Sequence, residues 1–350
     1  MGWRELTVEQ LLGLKNPLVI DVRSPCEHAA ERLPDSINVP LLSDEERAVV
    51  GIIYKEVGEV VARRHALKLI APKIPTLIDD IVALRTLHSQ ATVLYCWRGG
   101  LRSESVASLL SMAGIECFRL QGGYKSWRAN VLRDFQTDQY RFVPLILHGL
   151  TGVGKTEILQ ELRSLDLHVL DLEKLACHRG SAFGSMGLAQ QPSQKNFDAL
   201  VWKQLREVDT NVVFMEAESR KIGRISLPDC IYSRILSGAP ILITGTIEKR
   251  VERIISDYLS TSTPEQLEVA LEHLADLKER LGLERVKHIK ETVLSGDLHS
   301  AVKALLLEYY DPLYAKQIEK HSPFLLTVSG DNPSLAAGQI ASWNQDSAAR

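Results

Sequence analysis

Apolar residues in the first 130 positions fall into short continuous runs, separated by polar stretches with helical spacing. PLVIDVRS (17–24) reads as a buried strand ending in a polar loop, and ATVLYC (91–96) as a second. A Gly-rich turn follows, then the helix-like SESVASLLSMAG (103–114) and a third strand pattern, IECFRL (115–120). Strand, helix and strand at this spacing predict βαβ units and a parallel sheet. Ligands of such sheets sit off the carboxyl ends of the strands, where Asp21 and Cys96 fall. YKSWRANVLRDFQTDQYR (124–141) is polar with helical spacing and reads as a connector. A second α/β pattern restarts at FVPLILHG (142–149), with further strand candidates at LHVLDL (167–172), NVVFMEA (211–217) and APILITG (239–245). From 247 to 322 the spacing is largely helical with mixed charge, and 329–350 is rich in Ser, Ala and Asn and expected to fray. The predicted organisation is a domain at 1–130, a second at 131–330 with a helical C-terminal part, and a flexible tail at 331–350.

A length of 350 residues suits two domains. With 45% hydrophobic and 24% charged residues, a disordered tail protein, a collagen-like repeat and a small disulfide scaffold are excluded. The net charge is +1 over 1–130 (16 basic, 15 acidic) and −4 over the rest (25 basic, 29 acidic), so a bound nucleic acid would need a local basic patch. The five cysteines (Cys26, Cys96, Cys117, Cys177, Cys230) contain no CxxC pair, which argues against a disulfide framework or structural zinc. No run of 18 apolar residues and no signal-peptide pattern occurs, so the expectation is a soluble cytoplasmic protein with no membrane partner.

Two loops carry candidate chemistry. Cys96 follows a strand, and Trp97, Arg98, Gly99, Gly100, Leu101, Arg102 and Ser103 lead from it into a helix. Backbone N–H groups in such a loop converge on one point beside a positive helix terminus, a setting that favours a thiolate and holds a tetrahedral oxyanion. Arg98 and Arg102 are expected to strengthen both effects. The other cysteines lack this setting and read as small apolar fillers.

The second loop is a complete GxxxxGK[ST] motif, running Gly149, Leu150, Thr151, Gly152, Val153, Gly154, Lys155, Thr156 between an apolar strand and a helical segment. Its glycines let the backbone wrap phosphate oxygens, Lys155 reaches the outer phosphates, and Thr156 could ligate Mg²⁺. Glu216 and Glu218 end a later strand where an Asp is usual, which weakens the case for routine ATP hydrolysis. A basic loop with His178, Arg179 and Ser181 and the segment Glu218-Ser219-Arg220-Lys221 are candidates for substrate phosphate or RNA backbone, against a reading as solvated loops. Apart from Mg²⁺ at the phosphate loop, no metal site and no tightly bound cofactor are expected.

LVIDVRSP (18–25), Glu27 and INVP (37–40) resemble the opening of a rhodanese domain, and Cys96 sits where that family carries sulfur. The five residues between Cys96 and Arg102 depart from the shorter rhodanese loop and match the C-x5-R spacing of tyrosine and dual-specificity phosphatases, though Tyr95 replaces their usual His. A rhodanese-like parallel-sheet domain joined to a P-loop NTPase-like α/β domain, with LEKLACHRGSAFG (172–184), EAESRKIG (216–223), GIIYKEVG (51–58) and YYDPLY (309–314), resembles the tRNA 2-selenouridine synthase family over almost the whole chain. The resemblance implies replacement of sulfur by selenium in wobble 2-thiouridine of tRNA. It implies selenophosphate as donor, an S-geranyl intermediate made from geranyl diphosphate, and a selenophosphate-producing enzyme as a further partner. Carried onto this chain, Cys96 becomes the selenium-carrying or activating nucleophile. Arg98, Gly99, Gly100, Arg102 and Ser103 would hold selenophosphate, and the loop 149–156 would hold the geranyl diphosphate or a nucleotide. Lys249, Arg250, Arg253, Lys278, Arg285, Lys287 and Lys290 are candidates for the tRNA backbone or a solvated helix face. Tyr309, Tyr310 and Tyr314 are candidates for base stacking or core. The alternatives from the residues themselves are a C-x5-R phosphatase with a regulatory nucleotide-binding domain, a kinase with a degenerate rhodanese module, and a non-catalytic scaffold.

Overall fold

The Val-, Ile- and Leu-rich runs become strands buried on both faces, the environment that selects such runs in parallel sheets. The structure is a computed structural model that describes residues 2–87, 91–181, 183–259 and 277–348. It divides into two compact units, Met1–Asp138 with Asp198–Trp202, and Gln139–Phe197 with Lys203–Arg350.

In the first unit β1 (Arg4–Leu6), β2 (Leu18–Asp21), β3 (Ile37–Asn38), β4 (Thr92–Tyr95) and β5 (Phe118–Leu120) form a sheet in the order β1-β5-β4-β2-β3. Every pairing in it is parallel. Ile20 and Leu94 face one core with Val106 and Leu110, while Val93 and Tyr95 face a second with Tyr124 and Trp127. The helices are α1 (Val8–Leu12), α2 (Pro25–Ala30), α3 (Asp44–Glu56), α4 (Glu59–Ile70), α5 (Ile74–Leu87), α6 (Leu101–Met112) and α7 (Gly123–Thr137). Ser43 and Glu46 start α3 with a reciprocal capping box, which satisfies two orphan backbone donors.

The second sheet orders its strands β12 (Leu326–Ser329), β11 (Ala239–Thr244), β6 (Val143–His148), β8 (Val212–Glu216), β7 (Val169–Leu170), again all parallel. A two-stranded antiparallel ribbon, β9 (Lys221–Ile222) with β10 (Ile225–Ser226), follows β8. Central β6 is flanked on one side by β8 and on the other by β11, so the crevice above its carboxyl end lies where the strand order reverses. The helices are α8 (Lys155–Ser164), α9 (Leu172–Ala176), α10 (Gln194–Arg206), α11 (Asp229–Ser237), α12 (Ile247–Leu259), α13 (Lys278–Leu281), α14 (Leu283–Leu294), α15 (Leu298–Leu305), α16 (Asp311–Lys320) and α17 (Pro333–Ala348). A π-turn at Leu306–Tyr310 joins α15 to α16.

Two sequence expectations change. The proposed connector at 124–141 is largely α7, whose Tyr124, Trp127 and Val131 are buried in the first unit, so the polar residues between them cover an apolar stripe. The proposed fraying tail is mostly α17, because Ala336, Ala337 and Ile340 at helical spacing pack into the second core. The helical expectation over 247–322 is met by α12 to α16 where the chain is described, and residues 260–276 lie outside the described residues. Among the described residues no helix is long and apolar enough to cross a membrane.

Candidate functional sites: a cysteine loop and a phosphate loop

β4 delivers Cys96 to the carboxyl edge of the first sheet, and the chain turns there before α6 begins. The turn demands glycine. At Gly99, with φ +62°, a Cβ would lie 2.7 Å from the Leu120 carbonyl oxygen, and at Gly123, with φ +58°, it would lie 2.2 Å from the Cys96 carbonyl oxygen. The loop is pinned by the Tyr124 N–H donating to the Cys96 carbonyl at 2.9 Å and by Arg119 donating to the Gly99 carbonyl at 2.7 Å. The buried Cys96 Sγ lies 3.2 Å from Ser103 Oγ and 3.8 Å from the Gly100 carbonyl oxygen. Ser103 therefore stands beside the thiol.

The two arginines part company. Arg102 is held by the Glu27 carboxylate, at 2.5 and 3.3 Å, while Arg98 is exposed. Glu27 also accepts from the Ser24 backbone N–H that opens α2, and burial, which would raise its carboxyl, is outweighed by Arg102. An anion entering the loop thus meets an arginine that is already oriented by a carboxylate. Behind the loop, Asp21 binds buried Arg23 (2.6 Å) and His28 (3.0 Å). Burial opposes its charge, yet the bonds from His28 and Arg23 hold the Asp21 carboxyl below the ordinary range. The Arg23 guanidinium sits over the rings of Tyr95, Trp97 and Tyr124.

In the second unit the loop after β6 and the start of α8 wrap an open cleft. Gly149 is forced, since a Cβ there would lie 2.4 Å from the Ile243 carbonyl oxygen. Lys155 Nζ donates to the Gly149 and Leu150 carbonyls, at 3.1 and 3.3 Å, holding its charge over the loop. Thr156 Oγ1 donates to Glu216 at 2.8 Å and lies 3.5 Å from Glu173. Ligand atoms of Glu173, Glu216 and Glu218 lie within 4.8 Å of one another. Burial first, and the neighbouring carboxylates second, push all three carboxyls up, Glu218 to about 7. Glu216 Oε2 is buried with no hydrogen-bond partner.

Of the residues expected to meet substrate phosphate, Arg179 and Ser181 line this cleft. His178 does not. Its buried ring packs where a Cβ on Gly184 or Gly223 would come within 2.6 and 2.8 Å, its Nδ1 accepts from the Gly180 N–H, and burial pushes its pKa down. Arg220 pairs with Asp229 and covers the Tyr232 ring, and Lys221 is exposed on β9, so neither is among the cleft-lining residues. Glu173, Arg253, Asp257, Ile254 and Ile318 line it without having been singled out for it. Asp171 and Glu173 carried a signal, being polar residues straight after the apolar run of β7.

The basic helical residues also divide. Arg250 is 3% exposed and Arg253 turns onto the phosphate loop, so neither offers charge to an RNA backbone; their neighbours in the fold claim them. Lys249 pairs with Glu252, Arg285 pairs with Glu308, and Lys278 and Lys287 are exposed. Tyr310 is core, with Tyr309 packed edge-on against it, whereas Tyr314 lines the cleft, where burial and then Glu218 push its hydroxyl up to about 12.

A cysteine loop on a five-stranded parallel sheet, followed in the chain by a P-loop on a second, defines a rhodanese-like module fused to a P-loop module. The Rhodanese-like domain family matches residues 6–130, and the tRNA 2-selenouridine synthase AAA domain family matches 142–339. The tRNA 2-selenouridine synthase of Sulfurovum sp. (strain NBC37-1) is 36% identical over 89% of this chain and 92% of its own length. That of Cupriavidus pinatubonensis (strain JMP 134 / LMG 1197) is 33% identical over 97% of each. The chain belongs to the tRNA 2-selenouridine synthase family.

Proposed function

We propose that this protein exchanges sulfur for selenium at the wobble 2-thiouridine of tRNA in two steps, each using one of the two anion-binding loops. The observation that carries the reading is that both loops are complete in one chain: Cys96 with Ser103 on the first sheet, and Gly149–Thr156 on the second. In the first step the thiouridine sulfur attacks C1 of geranyl diphosphate. The C–O bond breaks, diphosphate departs, and the N3 proton is lost as the S-geranyl product forms. Alkylation turns a poor leaving group into a good one. In the second step the selenium of selenophosphate adds at C2, the geranyl thiolate leaves and takes up a proton, and water cleaves the P–Se bond, releasing phosphate and 2-selenouridine.

The loop 149–156 and Lys155 would bind the diphosphate, and Ile254, Tyr314 and Ile318 supply apolar wall for the prenyl chain. The cleft cations Lys155, Arg179 and Arg253 stand among Glu157, Glu173, Glu218 and Asp257, with Glu216 bonded to Thr156. As these carboxyls lose their protons, a divalent cation would be needed to join them to a diphosphate. The orphaned Glu216 Oε2 and its two carboxylate neighbours fit Mg²⁺, which Thr156, Glu216, Glu173 and Glu218 would hold. When bound, it would offset the charge developing on the departing diphosphate. The Cys96 loop would hold selenophosphate through its backbone N–H groups, with Arg102 and Ser103 at its rim.

The test is nucleoside mass spectrometry on thiolated tRNA incubated with the purified protein, geranyl diphosphate, selenophosphate and Mg²⁺. Sequential S-geranyl-2-thiouridine and 2-selenouridine support the reading. Turnover of a chromogenic phosphate ester at Cys96 with no change in the tRNA would show a phosphatase instead.

A further inference from the structure

Phosphate loops bind anions with backbone N–H groups, so what fixes the peptide planes decides the affinity. Here four successive carbonyls of the loop are each tied to a cation. Gly149 and Leu150 accept from Lys155. The Thr151 carbonyl accepts from Arg250 Nε at 2.8 Å, and the Gly152 carbonyl from Arg253 Nη1 at 2.7 Å. A trans peptide is planar, so drawing the Thr151 carbonyl towards Arg250 turns the Gly152 N–H the opposite way. α12 backs the loop closely: a Cβ on Gly152 would lie 3.0 Å from the Arg250 carbonyl oxygen.

Arg250 differs from Arg253 in one respect that matters. Arg253 lines the cleft, whereas Arg250 does not and is 3% exposed. Its two remaining nitrogens are spent on Asp311, at 3.0 and 2.5 Å, a fork-to-carboxylate geometry that an ammonium cannot reproduce. Asp311 is the first residue of α16, the helix that brings Tyr314 and Ile318 to the cleft. With its charge matched by Asp311, Arg250 has little electrostatic reach to a ligand and acts through geometry.

We propose that Arg250, oriented by Asp311, is a positioning residue that sets the Thr151–Gly152 peptide for diphosphate and makes the phosphate loop's shape depend on α16. This rests on the diphosphate reading of the loop. The experiment measures the affinity of the full-length protein for inorganic diphosphate with Mg²⁺ by calorimetry, together with Tm and the KM and kcat of geranylation. Arg250→Met weakens diphosphate binding about tenfold, the weight of one misaligned charge-assisted hydrogen bond. Asp311→Asn, which preserves shape, weakens it several-fold, and the double variant is no worse than Arg250→Met because the two residues act as one unit. Arg250→Lys recovers only part of the loss. In all three single variants KM rises more than kcat falls. Should Arg250→Met fail to fold, Asp311→Asn carries the test alone.

Wild-type diphosphate affinity in Asp311→Asn, with only Tm lowered, overturns the proposal and leaves the pair a purely structural bridge. Lys155→Ala separates the two levels of the argument. If it abolishes binding while the Arg250 and Asp311 variants bind normally, the positioning role is wrong and the diphosphate site stands. If Lys155→Ala itself binds as the wild type does, the diphosphate assignment is wrong and the positioning role falls with it.

Discussion

Replacing Glu218 by Gln should make the protein more stable at alkaline pH and leave it unchanged in mild acid. Glu218 is enclosed with Glu173 and Glu216, and burial and then the Glu216 charge push its carboxyl from 4.5 to about 7. A carboxyl whose folded pKa lies above its unfolded value binds its proton better in the folded state. Its contribution is therefore fully present below the unfolded value near 4.5 and is lost as pH climbs through 7. The shift is about 2.5 pH units, and at about 1.4 kcal/mol per unit the wild type loses about 3 kcal/mol across that window. Glutamine has no charge to desolvate and keeps the shape. For a domain of this size about 3 kcal/mol corresponds to roughly 6–12 °C in Tm. Calorimetric melts of wild type and Glu218→Gln at pH 4 and pH 8, with a chelator to strip divalent cations, read the difference directly. The Tm values should coincide near pH 4 and separate by pH 8 with the variant higher, and Mg²⁺ should close part of the gap by neutralising the wild-type cluster. Parallel Tm–pH curves would refute the reasoning, because they would mean that Glu218 titrates as it does in the unfolded chain.

Cys96→Ser should abolish 2-selenouridine and leave Tm within about 2 °C, since the two side chains are close in size; selenium incorporation at the wild-type rate would end the nucleophile assignment. In that variant S-geranyl-2-thiouridine should accumulate, whereas Lys155→Ala should leave 2-thiouridine unmodified. Supplying pre-geranylated tRNA and selenophosphate should rescue Lys155→Ala and not Cys96→Ser, and normal geranylation by Lys155→Ala would remove the phosphate loop from the first step. Binding of tRNA should weaken steeply between low and physiological salt despite the net charge of −3, because phosphate contacts release counterions; a flat response would mean no substantial phosphate-contacting patch.

Both loops were legible in the sequence because each is a contiguous motif whose function requires its neighbours in the chain: a strand before, glycines within, a helix after. The central strands were legible for a related reason, since a strand buried on both faces must be apolar throughout. What stayed hidden depended on partners far apart in the chain. Nothing at Glu27 signals that it will hold Arg102, 75 residues away. Arg250 and Arg253 look like the cations of any amphipathic helix, and only the fold shows them turned onto the carbonyls of Thr151 and Gly152. The helical spacing of α7 was legible but its place in the first unit was not, and α17 was taken for a fraying tail, because local polarity outweighed a sparse apolar stripe: Tyr124, Trp127 and Val131 in one case, two alanines with an isoleucine in the other. The two-residue β3 carries too few positions for any periodicity to register, whereas β7 lies within the strand pattern at 167–172.

Trp202 has a consequence for anyone who would divide this protein. Asp198–Trp202 belong to the first unit although they lie 60 residues beyond its end at Asp138. There Trp202 meets Trp127 edge-on at 5.6 Å, donates from its indole nitrogen to Asp134, and shares a core with Ala199 and Val131. A fragment ending at 138 would lack that tryptophan and bare the face of α7 that it covers. Gene fusions, excised-domain assays and recombination between homologues that cut at the obvious linear boundary would therefore sever a shared core. The smallest piece of this chain that keeps the cysteine-loop unit whole must carry Asp198–Trp202, and with them the chain from 139 to 197, phosphate loop included.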